Sequence, residues 1–131
     1  MKIVGIISIV VILAAVVLLS RGLVFAYDGI TEKELKEKMA KGGVVLLDVR
    51  ENDEVANCKI PESIHIPLAE VNKRFKELDP QKEIVVYCAA GVRSARASRI
   101  LDGSGFKKVK NLKGGIGRWV ASGGAVVGPC K

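Results

Sequence analysis

A single cysteine stands where a predicted strand gives way to a predicted helix. Cys88 follows the β-branched apolar run Ile84–Tyr87 and precedes a short loop that opens a helical run. The backbone N–H groups of such a loop converge on one point, and the helix N-terminus behind it adds partial positive charge. Both effects favour a thiolate, as does Arg93, while Gly91 gives the loop the backbone freedom to close. The sequence therefore predicts a nucleophilic cysteine.

The alternative is that Cys88 is a buried, unreactive cysteine at the end of a strand. We favour the reactive cysteine, because Gly, Arg and Ser in this order after it have little packing reason to occur together. The residues predicted to bind the substrate are Ala89, Ala90, Gly91, Val92, Arg93 and Ser94. For Arg93 the alternative is a structural salt bridge with a nearby carboxylate, and Ser94 suits the N-cap of the helix equally well.

The N-terminus predicts export. The 17 residues from Ile3 to Leu19 carry no charge and lie between Lys2 and Arg21. This run is at the lower limit for a membrane span and is longer than the usual core of a signal peptide, about 7–15 residues. Small or branched residues at 24–26 suit a signal peptidase, so residues 1–26 are expected to be either a cleaved signal peptide or a membrane anchor. In both cases the domain of residues 27–131 lies outside the cytoplasm, in the periplasm or anchored to the membrane.

The charge of the chain is unevenly distributed. Its net charge is +7, and from Cys88 onward nine basic residues are opposed only by Asp102. A basic half that contains the reactive loop suits a small anionic substrate. Nucleic acid is the competing partner of a basic chain, but an exported domain with 5% aromatic residues does not favour it.

Three cysteines in an oxidising compartment predict one pair and one free thiol. The spacing of Cys58, Cys88 and Cys130 does not match a metal site, and His65 is the single histidine of the chain. We therefore expect neither a metal ion nor a cofactor.

Strand and helix patterns alternate through the rest of the chain. Helices are predicted to begin at Thr31, Arg50 and Leu68, after the Cys88 loop and after Gly114, and strands are predicted at Val44–Val49, Ile60–Pro67, Ile84–Tyr87 and Val109–Leu112. The Pro-bracketed strand is expected near a sheet edge. Alternation of this kind predicts an α/β domain with a mostly parallel sheet, whose ligands bind beyond the carboxyl ends of the strands. Cys88 falls at such an end.

Three segments together resemble the single-domain form of the rhodanese-like (sulfurtransferase) family. They are Leu47–Glu51 (LDVRE), Ile60–Pro67 (IPESIHIP), and Cys88–Ser94 (CAAGVRS) followed by Leu112–Trp119 (LKGGIGRW). The resemblance covers roughly residues 29–127. It implies a five-stranded parallel sheet flanked by helices and a persulfide carried on the loop cysteine.

The resemblance also implies a mechanism. The Cys88 thiolate would attack the outer sulfur of thiosulfate or of a persulfide donor, and cyanide or a thiol would then remove the sulfur. Arg93 would position the anionic donor or support the thiolate. Asp48 and Arg50, at the end of a buried strand, are interpreted as structural, and Trp119 as a core or pocket-wall residue.

The chain departs from the family pattern before Ile60, where Cys58-Lys59 replaces the usual Gly-His. Because Cys58 precedes a strand, it is expected at the opposite end of the sheet from Cys88. Cys130 follows a helix that runs back from the strand carboxyl ends. We therefore hypothesise a Cys58–Cys130 disulfide that pins the tail and leaves Cys88 free. In the alternative, Cys58 resolves a Cys88 persulfide.

Two other functions compete with sulfur transfer. The first is a phosphatase or an arsenate reductase, but the related cell-division phosphatases have a loop one residue longer than the four residues between Cys88 and Arg93. The second is a membrane-tethered sulfur carrier or partner-binding module that does not turn over small donors. The presence of the loop cysteine argues against an inactive domain but not against a carrier.

Overall fold

A parallel sheet organises the chain. The structure is a computed structural model that describes residues 28–131. The strands are β1 Gly29–Ile30, β2 Val44–Asp48, β3 Ile64–His65, β4 Glu83–Tyr87 and β5 Val109–Leu112. They form one five-stranded sheet in the order β1-β5-β4-β2-β3, and every neighbouring pair is parallel. The predicted α/β architecture and the five-stranded parallel sheet are confirmed.

Helices connect the strands and cover both faces of the sheet. They are α1 Glu32–Lys41, α2 Asn52–Asn57, α3 Leu68–Arg74, α4 Val92–Gly103 and α5 Gly115–Ala121, and a short 3₁₀ turn, Phe75–Glu77, extends α3. Local sequence determines where the first helix begins and ends. The Thr31 hydroxyl accepts a hydrogen bond from the Glu34 N–H at 3.2 Å, and Gly42 ends the helix with a φ of 78°.

Alternate side chains of the central strands fill two separate cores. The first core lies under α3 and α4 and includes Leu47, Val86, Cys88, Val71, Ala97 and Leu101. The second core lies under α1 and α5 and includes Leu46, Val85, Tyr87, Leu35, Ile116 and Trp119. Strands that are buried on both faces carry continuous apolar sequence. This explains the unbroken apolar runs of β2 and β4.

Two predicted elements are shorter in the structure. The strand predicted over 60–67 pairs only at Ile64–His65, although it does lie at an edge of the sheet. Pro61 and Glu62 form a turn, and the positive φ of Glu62, 65°, is incompatible with continued pairing. The helix predicted from Leu68 becomes a 3₁₀ turn after Arg74.

The predicted export segment, residues 1–26, lies outside the described residues. Between residues 28 and 131 no helix is long and apolar enough to span a bilayer.

Candidate active site

Cys88 is the first residue after β4, at the carboxyl end of the sheet. The loop that follows it is short, because α4 already begins at Val92. Gly91 caps the helix with a φ of 107°, a conformation that side chains with a Cβ rarely adopt. The predicted order of strand, loop and helix is confirmed, and with it the need for glycine at this position.

Three hydrogen-bonding groups surround the Cys88 sulfur, which is almost completely buried. The N–H of Gly91 lies 3.1 Å from Sγ, the N–H of Ser94 lies at 3.4 Å, and the Ser94 hydroxyl lies at 3.2 Å. Burial raises the pKa of the Cys88 thiol, but hydrogen bonding to the Ser94 side chain and to the backbone N–H groups of Ser94, Gly91 and Ala90 outweighs it. The net effect is a pKa below the ordinary value, so the loop favours the nucleophilic form.

The N-terminus of α5 holds the loop from behind. The N–H of Ile116 donates to the Cys88 carbonyl at 2.9 Å, and the N–H of Gly117 donates to the Ala89 carbonyl at 3.1 Å. A Cβ on Gly115 would lie 2.5 Å from both of these carbonyl oxygens. The Gly-Gly sequence before α5 therefore permits the close approach that turns the loop carbonyls away from the sulfur.

Asn111, at the carboxyl end of β5, braces the loop from the side. Its Nδ2 donates to the Gly91 carbonyl at 3.0 Å, and its Oδ1 accepts from the Ser94 hydroxyl at 2.6 Å. The N-cap interpretation of Ser94 is wrong, because Gly91 occupies that position and Ser94 lies within the first turn of α4. Sequence reasoning missed Asn111, because this strand (VKNL) carries two polar residues and nothing in the pattern indicates which one contacts the loop.

Arg93 forms a salt bridge with Glu54, as the structural alternative for this residue anticipated. Its two terminal nitrogens donate to the two carboxylate oxygens at 2.7 and 2.8 Å. The hydrogen bonds from Arg93, helped by one from the Glu51 N–H, lower the pKa of Glu54 to about 2. The same bond raises the pKa of Arg93. In this structure the guanidinium is thus held by α2, and Glu54 is a second residue that sequence reasoning did not single out.

Asp48 and Arg50 form a buried ion pair beside the loop. Nη2 of Arg50 lies 2.7 Å from Oδ2 of Asp48, and both side chains are at most 5% exposed. The same nitrogen donates to the Cys58 carbonyl at 2.6 Å, and the Arg50 carbonyl contacts His65 Nε2 at 2.7 Å. These contacts join the ends of β2, α2 and β3 and agree with the structural interpretation of the pair.

A disulfide joins Cys58 to Cys130, as hypothesised, and among the described residues Cys88 is the free cysteine. Lys59 and Val127 form an antiparallel bridge next to the disulfide. The expectation that Cys58 lies at the opposite end of the sheet from Cys88 is wrong. The side chain of Arg50, which follows the carboxyl end of β2, donates to the Cys58 carbonyl, so Cys58 lies near that end of the strand. Cys58 instead packs on the other face of the sheet, away from Cys88, which leaves the resolving role without support.

A groove of about 420 Å³ runs between α3 and α4 beside the loop. It is lined by Glu51, Leu68, Ala69, Asn72, Arg93, Arg96 and Ile100. Three loop residues predicted to bind substrate, Ala89, Ala90 and Val92, are exposed and form the rim of the site. Trp119 belongs to the core under α1 and α5, where its Nε1 donates to the Ala125 carbonyl at 2.8 Å.

The fold and this site define a known class of protein. The rhodanese-like domain model matches residues 31–122, and the chain belongs to that family.

Relatives with this domain include named sulfurtransferases. A sulfurtransferase of Allochromatium vinosum is 33% identical over 101 residues, which are 76% of this chain and 94% of the relative. A thiosulfate sulfurtransferase of Coxiella burnetii is 32% identical over 95 residues, covering 72% of this chain and 89% of the relative. A rhodanese-related protein from Thermoplasma volcanium superposes with a TM-score of 0.72 at 36% identity, covering 77% of this chain and 98% of that one.

Proposed function

We propose that this protein is a sulfurtransferase that moves sulfane sulfur from thiosulfate or a persulfide donor to cyanide or a thiol through a persulfide on Cys88. The observation that carries the proposal is a free cysteine sulfur that accepts from the backbone N–H groups of Gly91 and Ser94 and whose pKa is lowered. Relatives with sulfurtransferase names support the same class of reaction.

The chemistry requires two displacements at sulfur. In the first, the Cys88 thiolate attacks the outer sulfur of the donor, the donor S–S bond breaks, and sulfite or a thiolate leaves with the electron pair. In the second, the acceptor attacks the outer sulfur of the persulfide, and Cys88 leaves as a thiolate. In each step one S–S bond breaks and one new bond to the transferred sulfur forms, while the electron pair of the broken bond leaves with sulfite or a thiolate. No external oxidant or reductant is therefore needed.

The backbone N–H groups of the loop can stabilise Cys88 both as a thiolate and as a persulfide. The Gly91 and Ser94 N–H groups stabilise the negative charge on Sγ before attack and after the sulfur has been handed on. An acceptor would approach the outer sulfur of a persulfide across the exposed rim at Ala89, Ala90 and Val92. Arg93 orients the donor when an anion draws its guanidinium away from Glu54.

We also propose that residues 1–26 direct export, so that the domain works in the periplasm or anchored outside the cytoplasm. The disulfide supports this proposal, because such bonds persist mainly in oxidising compartments. Mass spectrometry of the N-terminal peptide from membrane and soluble fractions tests it. A mature chain that begins at Tyr27 indicates a cleaved signal, an intact N-terminus in the membrane indicates an anchor, and an intact chain confined to the cytosol contradicts export.

The test of the reaction uses the full chain incubated with thiosulfate or with a persulfide, with Cys88→Ser as the control. Intact mass should show one added sulfur atom on the wild type only, and thiocyanate should form when cyanide follows. Loading without turnover would instead indicate a sulfur carrier. No loading by either donor would contradict the proposal, and phosphate-type substrates would be tested next.

A further inference from the structure

Arg93, in the first turn of α4 after the Cys88 loop, is already paired with a carboxylate. Both terminal nitrogens of Arg93 are hydrogen-bonded to both carboxylate oxygens of Glu54, and each side chain is about one third exposed. A guanidinium held by two parallel hydrogen bonds has a geometric as well as an electrostatic preference for that carboxylate. An incoming anion must therefore compete with Glu54 before it can use Arg93.

The carboxylate of Glu54 is fixed in place by its own helix. Its Oε2 accepts the Glu51 N–H at 2.9 Å, and the Glu51 side chain accepts in return from the Glu54 N–H, which completes a capping box at the start of α2. Glu54 is thus held from two sides, by α2 and by Arg93. The carboxylate belongs to the built structure of the site and is not a flexible surface group.

The positive and negative side chains around the groove balance each other, so the groove does not attract a dianion. Glu51 lines the groove together with Arg93, and the negative charge of its carboxylate attracts the Arg93 guanidinium. Arg96 lines the same groove, so the two guanidinium groups of the groove are accompanied by two carboxylates, that of Glu51 in the lining and that of Glu54, which binds Arg93. The sum is zero before Cys88 ionises and negative afterwards. The basic surplus of the C-terminal half is therefore cancelled locally by acidic residues of α2 and its cap.

We propose that Glu54 is a specificity-determining residue that selects the sulfur donor by charge, and that it favours organic persulfides over thiosulfate. The inference rests on the proposed function. With a persulfide R–S–SH, the Cys88 thiolate attacks the outer sulfur, the S–S bond breaks and R–S⁻ leaves. This donor is neutral in the form that is attacked and carries at most one negative charge when it ionises. With thiosulfate, the same attack brings a dianion towards Glu54, Glu51 and the thiolate, where like-charge repulsion raises the barrier.

The test compares wild type with Glu54→Gln in the full chain. Glutamine keeps a side-chain oxygen for the Glu51 N–H but removes the negative charge. The measured quantity is the second-order rate constant for adding one sulfur atom to Cys88, followed by intact mass, with thiosulfate and with the persulfide of 2-mercaptoethanol. We expect the thiosulfate constant to rise about tenfold, equivalent to about 1.4 kcal/mol, and the persulfide constant to change less than about twofold. Raising the ionic strength should reduce the thiosulfate gain.

A matched control is available in Glu77→Gln. Glu77 is bonded to Arg74 at 2.7 Å in an exposed salt bridge beyond the end of α3, away from the end of that helix that lines the groove. It makes the same change in net charge. An equal rise for both donors, or the same rise in Glu77→Gln, would overturn the inference and leave sulfur transfer intact. No sulfur added from either donor to any variant would overturn the proposed function itself.

A second variant keeps the test valid if Glu54→Gln does not fold. Glu51→Gln retains the Arg93–Glu54 pair and removes the other groove carboxylate. It should raise the ratio of the thiosulfate constant to the persulfide constant about threefold. An unchanged ratio in this variant would contradict charge selection at the groove.

Discussion

Two arginine–carboxylate pairs stand side by side at the carboxyl end of the sheet, and they differ in burial. Arg50 and Asp48 are 5% and 1% exposed, whereas Arg93 and Glu54 are 33% and 30% exposed. The buried arginine also binds backbone carbonyls of Glu54 and Cys58, so it ties the end of β2 to α2. The half-exposed arginine binds one carboxylate beside the groove. The Asp48–Arg50 pair therefore holds structural elements together, whereas the Glu54–Arg93 pair leaves a charge at the groove that can respond to a ligand.

The largest effect should come from breaking the buried pair. Arg50→Met leaves the Asp48 carboxylate buried without its partner, and we expect a loss of about 3–5 kcal/mol in the free energy of unfolding. Urea denaturation measures it. The double variant Asp48→Leu/Arg50→Met should recover part of the loss, because it removes both charges. If Arg50→Met were as stable as the wild type, the buried ion pair would not be needed to hold β2 and α2 together.

The disulfide should stabilise the same part of the protein as the buried pair, because the Cys58 carbonyl is a partner of Arg50. Replacing both Cys58 and Cys130 by Ser opens a loop with a sequence separation of 72 residues. The chain-entropy model gives a loss of about 4.4 kcal/mol for a loop of this length. Chemical denaturation with and without reductant checks the value. Reductant should destabilise the wild type and leave the double variant unchanged.

The exposed pair should matter much less for stability. Arg93→Met removes a half-exposed salt bridge, so we expect less than about 1 kcal/mol of destabilisation under the conditions used for Arg50→Met. The rate of sulfur loading should nevertheless fall. If Arg93→Met destabilised the protein as much as Arg50→Met, the two pairs would not differ in the way their burial indicates.

The smallest expected effect is on the stability of the fold at low pH. The pKa of Glu54 is about 2 in the folded protein and 4.5 without its partners. The pair therefore stabilises the fold fully above pH 4.5, and this contribution is lost as the pH falls towards 2. Glu54→Gln lacks the contribution, so its stability should decline less over that range. Parallel declines in the two proteins would contradict the depressed pKa.

Much of this arrangement could be predicted from the sequence, because local features determine it. The apolar runs define β2 and β4, Gly91 indicates the loop, and Cys88 must then lie at the carboxyl end of a strand. The Cys58–Cys130 pairing followed from a departure from the family pattern.

Three features could not be predicted, because they depend on contacts between distant segments. Asn111 braces the Cys88 loop from another strand, and Glu54 reaches Arg93 across 39 positions of sequence. The position of Cys58 depends on the Arg50 side chain, which binds the Cys58 carbonyl. A polar residue in a short strand and an acidic helix start are common, so neither one indicates a partner by itself.

The loop is expected to hold Cys88 as a reactive thiolate. The most direct measurement is the ultraviolet absorbance of the thiolate as a function of pH, with Cys88→Ser as the blank. Since Cys58 and Cys130 are joined in a disulfide, the difference reports one thiol. We predict a single titration with a midpoint below the ordinary value of about 8.5. A midpoint at or above that value would contradict the account, because burial would then outweigh the hydrogen bonds of the loop.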